Sequence, residues 1–523
     1  MSYDRRVIAS VRPVAAAAQV GVVLERLPVL DQQRPIDVAE RFRALPGLAL
    51  LESARPGRHG RWSYLTADPV HVLEVPAPGA AEDRAGTGPT AIVAGREVLS
   101  EARRLVARLD PGLPDWQRVA SRDLPPFLGG LVGYLGYDFG RRLERIPERA
   151  LADQAMPDVH LALHDWVIAW DRRSGLAYLA GRALDGDRRG LDARLAEVRR
   201  TCAATAPVPP LEPSLGAAGP GQLRFRSGLD RSAFEAGVEA IRAAIASGDI
   251  YQANLTRRLE AAFEGDPWPL FRSLRTGDPS LMAAFLSLGP GATDPPPAAA
   301  RSGARPESAP PGSARALLSA SPEPFLTLGA DGLVSSDPIK GTRPRGQTRD
   351  EDRALARELL SSGKDQAENV MIVDVLRNDL GRVCVPGTVR VPRLCRLERT
   401  AAVQHLVTTV TGQLRPDRDA FDLLAAAFPG GSITGAPKIR AMELLETLEP
   451  VRRGPYTGAA GWIGPDGAMA TSILIRTFVA DGRRLTIHVG GGITWRSDPA
   501  AEWAETVAKV SGPLGAIGAR ELA

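Results

Sequence analysis

Apolar and polar positions past Gly228 switch between two periods. Phe234, Val238, Ile241 and Ile245 recur at spacings of four and three, which predicts a helix opened by a capping box at Ser232 and Glu235 and stopped at Gly248. Residues 250–258 then alternate, with Gln252, Asn254 and Thr256 on one face and Tyr251, Ala253 and Leu255 on the other, predicting a strand whose polar face is a candidate site wall. Residues 472–478 read as an apolar strand interrupted by Arg476, and residues 485–489 as a strand running into the glycine turn 490–494. A helix after Pro437 turns Met442 and Leu445 inward. Another has Asp498 to cap it, Pro499 in its first turn, and an apolar stripe of Trp503, Val507 and Val510. The N-terminal half shows a glycine- and aromatic-rich run at 127–147 and short strands such as 167–170.

Length and composition set bounds on this picture. The 523 residues, 44% apolar, suffice for two or three cores or one large intertwined one. Stretches 76–90, 203–221 and 289–313, rich in Pro, Gly and Ala, read as linkers, giving an N-terminal unit 1–221 and a C-terminal unit 222–523 with an insertion at 289–313 that is expected to be disordered. No stretch reaches the roughly 18 apolar residues of a membrane helix, and the chain reads as cytoplasmic. A net charge of +4 without a basic block argues against nucleic acid. Cys202, Cys384 and Cys395 are too few and too scattered for a disulfide framework or a CxxC metal site. Of 65 basic residues only Lys340, Lys364, Lys438 and Lys509 are lysines, so each raises the question of why arginine would not serve. A lysine amine can lose its proton and act as a nucleophile, which a guanidinium does not.

Three constellations carry candidate chemistry. Asp365 and Glu368, like Glu502 and Glu505, stand three apart on one helix face, and Lys509 follows on the second helix. Carboxylate oxygens completed by water and substrate oxygens suit magnesium, and solvated surface charge is the competing reading. The segment 428–438, the glycines at 490–492 and Arg476 offer backbone amides and a guanidinium to anions, with an internal carboxylate as the competing partner of Arg476. Glu323 and Lys340 read either as an acid and a nucleophile or as an ordinary ion pair, and His405, by its spacing, as a core histidine.

Taken in order, YQANLTRR, SPEPF, PIKGTRPRG, AENVMIVDVLRNDLGRVC, VQHL, FPGGSITGAPK, GPYTGAAGW, TSILIRTF, GGGIT and EWAETVAK resemble the chorismate-utilising enzyme family from Gly228 to about Ala519. Residues 50–53 and 129–138 more loosely resemble the extra domain of its ammonia-using branch. The resemblance implies an α+β fold of two packed, largely antiparallel sheets in a sandwich with helices outside. It implies Mg2+ on Glu368 and Glu505, with Asp365 and Glu502 contributing directly or through water. It also implies that Tyr456, Arg476, Gly491, Gly492 and Lys509 hold the carboxylates of chorismate, that Thr342, Thr434 and Gly435 line the pocket, that Glu323 is the general acid, and that His405 is a pocket histidine rather than a core one. Water-using members carry lysine where this chain has Gln252, which points to ammonia. Lys340 and Asn369 are typical of the branch that aminates C4, where anthranilate synthases usually have alanine and histidine. The family's tryptophan effector pocket would fall at Leu51, Glu52 and Ser53, although residues 279–285 match its other wall only in part. No cysteine sits in a glycine-flanked nucleophile elbow, so a separate glutamine amidotransferase partner is implied.

Overall fold

Among the described residues, strands, many of them buried on both faces, assemble into two sheets, one of thirteen strands and one of ten. The computed structural model describes residues 21–522 except 56, 78–96, 113–122, 205–222, 291–313 and 401–402. The expected linkers and the insertion fall almost wholly outside the described residues.

The larger sheet begins at Val22–Arg26 and passes through Leu176–Arg182, Trp166–Asp171, Trp62–Thr66 and Ala49–Glu52. It continues through Met282–Pro290, Ala314–Ser321, Thr477–Asp481, Arg484–Ile493 and Gln252–Ala262 to Arg224–Ser227. The smaller sheet runs from Ile339–Pro344 through Val403–Gln413, Leu333–Ser336, Pro324–Leu328, Met469–Ile473 and Ala459–Ile463 to Gly130–Leu135, Val159–His164 and His71–Val75. Neighbouring strands pair antiparallel apart from a short parallel pair at Arg520–Glu521. Ala49–Glu52 pairs with Met282–Pro290, and Gly130–Leu135 with Ala459–Ile463, so both sheets run across the boundary at residue 221.

The sheets pack face to face, because one core cluster draws Tyr64, Val167 and Leu317 from the larger and Val132 and Trp462 from the smaller. Phe127 stacks on Trp462 at 4.8 Å in the same layer. Helices cover the outer faces. Trp268, Phe271, Val510 and Leu514 close the larger sheet, while Ile372, Leu376, Phe421 and Leu424 close the smaller.

Local expectations are corrected in four places. The first helix of the C-terminal half is Arg231–Ala246, capped by Asp230, which accepts from the Ala233 N–H at 2.8 Å. Ser232 and Glu235 therefore lie inside the helix, and Glu235 pairs with Arg231 one turn back. Tyr251 precedes its strand and is 70% exposed, whereas Ala253 and Leu255 pack on Phe234 and Val238 as the alternation predicts. On the helix Pro499–Ala516, Val507 is exposed and the buried stripe runs through Glu502, Thr506, Val510 and Leu514. That rotation turns an acidic residue inward. The fourth correction concerns Arg476 and is described with the site.

A buried ion pair braces the wall behind the site. The Arg453 guanidinium donates to both Glu449 oxygens at 2.7 and 2.8 Å and to the Ile433 and Asn254 carbonyls, while Glu449 Oε1 accepts from the Thr256 N–H at 2.9 Å. Removing one partner of such a pair leaves a buried charge without compensation. Glu449→Ala is expected to lower the unfolding free energy by about 3–5 kcal/mol, read from urea denaturation.

Candidate active site

Two strands leave one sheet and enter the other at the same corner. Ala314–Ser321 belongs to the larger sheet and Pro324–Leu328 to the smaller, so the chain crosses at Pro322 and Glu323. Residues 472–478 cross beside it in the opposite sense. Instead of one strand interrupted by a charge there are two, Met469–Ile473 and Thr477–Asp481, in different sheets, with Arg476 at φ 50° in the crossing. The crossings are tied together by Ile473 N–H to Glu323 O and Ala320 N–H to Arg476 O, both at 3.0 Å, and by Ser321 Oγ to Ile473 O at 2.6 Å. A carboxyl and a guanidinium thus stand where the two sheets part.

Lys340 enters this corner from the strand Ile339–Pro344. A register shift opposite Val403–Gln413 falls at Gly341, whose φ of 77° suits glycine and whose absent side chain lets the strand approach Asp365 and Leu359. The Lys340 amine donates to the Ser432 carbonyl at 3.0 Å, and the Glu323 carboxylate accepts from the Ser432 side chain and the Ile339 N–H. No direct ion pair joins Glu323 and Lys340. Burial moves both toward the neutral form. It lowers the lysine against the pull of Glu368 and Glu323, and it raises the carboxyl against the pull of Lys340. Gln252 is buried, and neither of its amide atoms has a hydrogen-bond partner. A Cβ on Gly492 would collide with that amide and come within 3.8 Å of Lys340 Nζ. The bare backbone of Gly492 is what allows Gln252 and Lys340 to share the space.

The acidic helices converge on the neighbouring glycine. Gly490, Gly491 and Gly492 do not form a turn, because the strand Arg484–Ile493 continues through them, held by Gln252–Ala262. A Cβ on Gly491 would lie 3.2 Å from Glu502 Oε2 and 3.7 Å from both Glu505 Oε1 and Lys509 Nζ. Lys509 pairs with Glu505 at 2.6 Å and donates to Gly490 O. Lys364 Nζ is 3.9 Å from Glu368 Oε1 and from Glu502 Oε1. Burial raises the carboxyls of Glu368 and Glu502, and each is raised further by acidic neighbours; for Glu505, burial also raises, but Lys509 with Lys364 and Lys340 together outweigh it and the carboxyl is lowered. Asp365 does not join them, because Arg343 engages it at 3.2 Å. Among the described residues, no three His, Cys, Asp or Glu side chains form a group able to hold a metal ion alone.

On the other side of the corner, Arg476 pairs with Asp278 at 3.3 Å, and the Thr342 hydroxyl meets His405 Nδ1 at 2.9 Å. Burial, then the charges of Arg55 and Arg476, push His405 down to about 4, which keeps its imidazole neutral near pH 7. Gly435 packs on the Gln252 carbonyl, and Thr434 is buried with its hydroxyl on Gly430 O. Tyr456 is buried and stacks on His488 at 5.0 Å. Leu51, Glu52 and Ser53 lie on and just after the strand Ala49–Glu52, which runs beside Met282–Pro290, so residues 50–53 adjoin the segment 279–285. Glu52 forms a bidentate pair with Arg275, Ser53 hydrogen-bonds Ser63 and Trp62, and Leu51 pairs with Ala284. Sequence reasoning missed Asp278, Arg55 and Ser432. Ser432 lay inside a quoted motif, whereas Asp278 and Arg55 come from segments without a periodic signal. Asn369 is buried, and its Oδ1 accepts from the Thr408 hydroxyl at 2.5 Å.

Known proteins resemble the chain in sequence and in overall fold. The chain is 37% identical to aminodeoxychorismate synthase component 1 of Salmonella typhimurium over 91% of its own length and 95% of that protein. It is 35% identical to anthranilate synthase component 1 of Mycobacterium tuberculosis over 96% of its length and 93% of that protein. The crystal structure of anthranilate synthase component I from Streptococcus pneumoniae superposes with a TM-score of 0.68 at 28% identity, covering 94% of this chain and 99% of that one. The family profile described as chorismate binding enzyme matches residues 72–515, and the chain belongs to that family.

Proposed function

We propose that this protein is component I of an aminodeoxychorismate synthase, which replaces the C4 hydroxyl of chorismate with an amino group. The observation that carries this reading is Lys340, a desolvated amine in the same pocket as a carboxyl that burial holds toward its protonated form. An amine so placed can attack the substrate ring, and a carboxyl so placed can supply the proton a departing hydroxyl needs.

In the proposed sequence Lys340 Nζ forms a bond to C2. Both ring double bonds shift, C1=C2 to C1=C6 and C5=C6 to C4=C5, and the C4–O bond breaks as Glu323 delivers its proton, releasing water. Ammonia then bonds to C4, both double bonds shift back to C5=C6 and C1=C2, the C2–N bond to Lys340 breaks with its electron pair returning to the amine, and 4-amino-4-deoxychorismate leaves. Ammonia sheds one proton in this second step, and Glu323 is placed to recover it. Arg476, Tyr456, Lys509 and the Gly491 and Gly492 amides hold the substrate carboxylates, and Thr342, Thr434, Gly435 and His405 shape the pocket. Gln252 offers an uncharged amide where a water-activating base would otherwise stand.

Magnesium belongs to this reading as a proposal. Glu368 Oε1 is buried without a hydrogen bond, and Glu502 and Glu505 face bare backbone at Gly491, a donor set that fits a hard cation completed by water and a substrate carboxylate. Glu368 and Glu505 would hold the ion, with Glu502 reaching it through water and Asp365 only if it leaves Arg343. When bound, the ion would orient and neutralise a substrate carboxylate.

Ammonia is expected from a glutamine amidotransferase subunit. Burial raises all three thiols, Cys202 up to about 12, which is the opposite of an activated nucleophile. The purified chain should therefore consume chorismate with magnesium and ammonium salts and fail to do so with glutamine. Glutamine-dependent turnover by the chain alone would overturn the need for a partner. No helix among the described residues is long and apolar enough to cross a membrane.

A further inference from the structure

Three of the four lysines gather at the site, and two have partners that explain them: Lys340 is the candidate nucleophile, and Lys509 pairs with Glu505. The fourth lysine, Lys438, is structural, bound to Asp379 and the Ala427 carbonyl. Lys364 fits neither description. Its amine lies 3.9 Å from Glu368 Oε1 on its own helix and 3.9 Å from Glu502 Oε1 on the other, equidistant from the two carboxylates and within hydrogen-bond reach of neither.

Helix stability does not account for this position. Lys364 stands in the first turn of Gly363–Gly381, where the helix dipole disfavours a cation. It also precedes Glu368 by four residues, the weaker order for such a pair. Yet Glu368 Oε1 is buried with no hydrogen bond, and the cations that act on its carboxylate are Lys340 and then Lys364, of which Lys364 lies 3.9 Å away. A compact ammonium can sit between two carboxylates as an ion does, whereas a planar guanidinium would fork onto one of them. The Lys364 side chain is 42% exposed, which leaves it a route out to solvent.

We propose that Lys364 is a tethered counter-ion that occupies the cation seat between Glu368 and Glu502 and is displaced when the divalent ion enters. It is a positioning residue: it holds the carboxylate pairs in place without metal and competes with metal for them. The proposal rests on the magnesium reading above.

The test is metal affinity together with lysine accessibility, both independent of turnover. Mn2+ and Mg2+ titrations by calorimetry should show Lys364→Gln binding about three- to ten-fold more tightly than wild type, the size expected of two partly screened charge pairs. Lys364→Arg, which keeps the charge, should not gain affinity. Trace acetylation of the full chain followed by peptide mapping should show Lys364 becoming more reactive on Mn2+ loading while Lys438 stays constant. Equal or lower affinity of Lys364→Gln, or unchanged Lys364 labelling in metal-loaded wild type, would overturn the displacement role and leave the magnesium reading standing. Absence of binding by both proteins would overturn the magnesium reading and this proposal with it.

Discussion

Replacing Lys340 with arginine is expected to abolish aminodeoxychorismate formation, by about a thousand-fold or more in kcat, the scale seen when a covalent nucleophile is removed. The charge is kept, so an electrostatic role for Lys340 would survive the change and a nucleophilic one would not. The burial that depresses the Lys340 amine makes its neutral form accessible, and the same burial would not deprotonate a guanidinium. Lys340→Ala should lose C4 amination to the same degree and permit slow addition at C2, because it restores the residue that anthranilate synthases usually carry there. Wild-type protein mixed with chorismate and magnesium but no ammonia should gain the mass of chorismate less water, on the peptide holding Lys340. Wild-type rates in Lys340→Arg would remove the covalent step from the mechanism.

Glu368→Ala and Glu505→Ala should each lower chorismate turnover by about a hundred-fold or more, since a bound dication supplies several kcal/mol of charge stabilisation. The circular dichroism spectrum should be unchanged, because both carboxylates face the site rather than the core clusters. Chelator treatment of wild type should mimic the substitutions, and added magnesium should reverse it. Full activity after rigorous chelation would take the metal out of the account. Asp365→Ala should matter much less, as its carboxylate is committed to Arg343.

The sequence carried the elements of the site more clearly than their arrangement. A spacing of three placed Glu368 beside Asp365 and Glu502 beside Glu505, and the Asp498 cap and Pro499 correctly marked the start of the second acidic helix. It set Val507 on the inward face of that helix and Glu502 off it, because burial of Glu502 depends on the bare glycine strand it packs against, a long-range contact. The Arg476 crossing was hidden for a similar reason. Apolar runs on either side of a sheet change look like one strand, and only pairing shows that Ile473 and Thr477 belong to different sheets. Alternation around Gln252 was legible, but not the lack of partners for its amide, which follows from Gly492 across the sheet. The sandwich and the roles of single residues came from ordered motifs rather than from periodicity. Arg55 and Asp278 reach the corner from distant loops and carry no local pattern that announces them.

Identification of the product tests the central claim most directly. The purified chain, incubated with chorismate, magnesium and ammonium, should yield a species that retains the enolpyruvyl group and carries nitrogen at C4, with no pyruvate released. Formation of anthranilate with stoichiometric pyruvate would place the nitrogen at C2 and contradict the account.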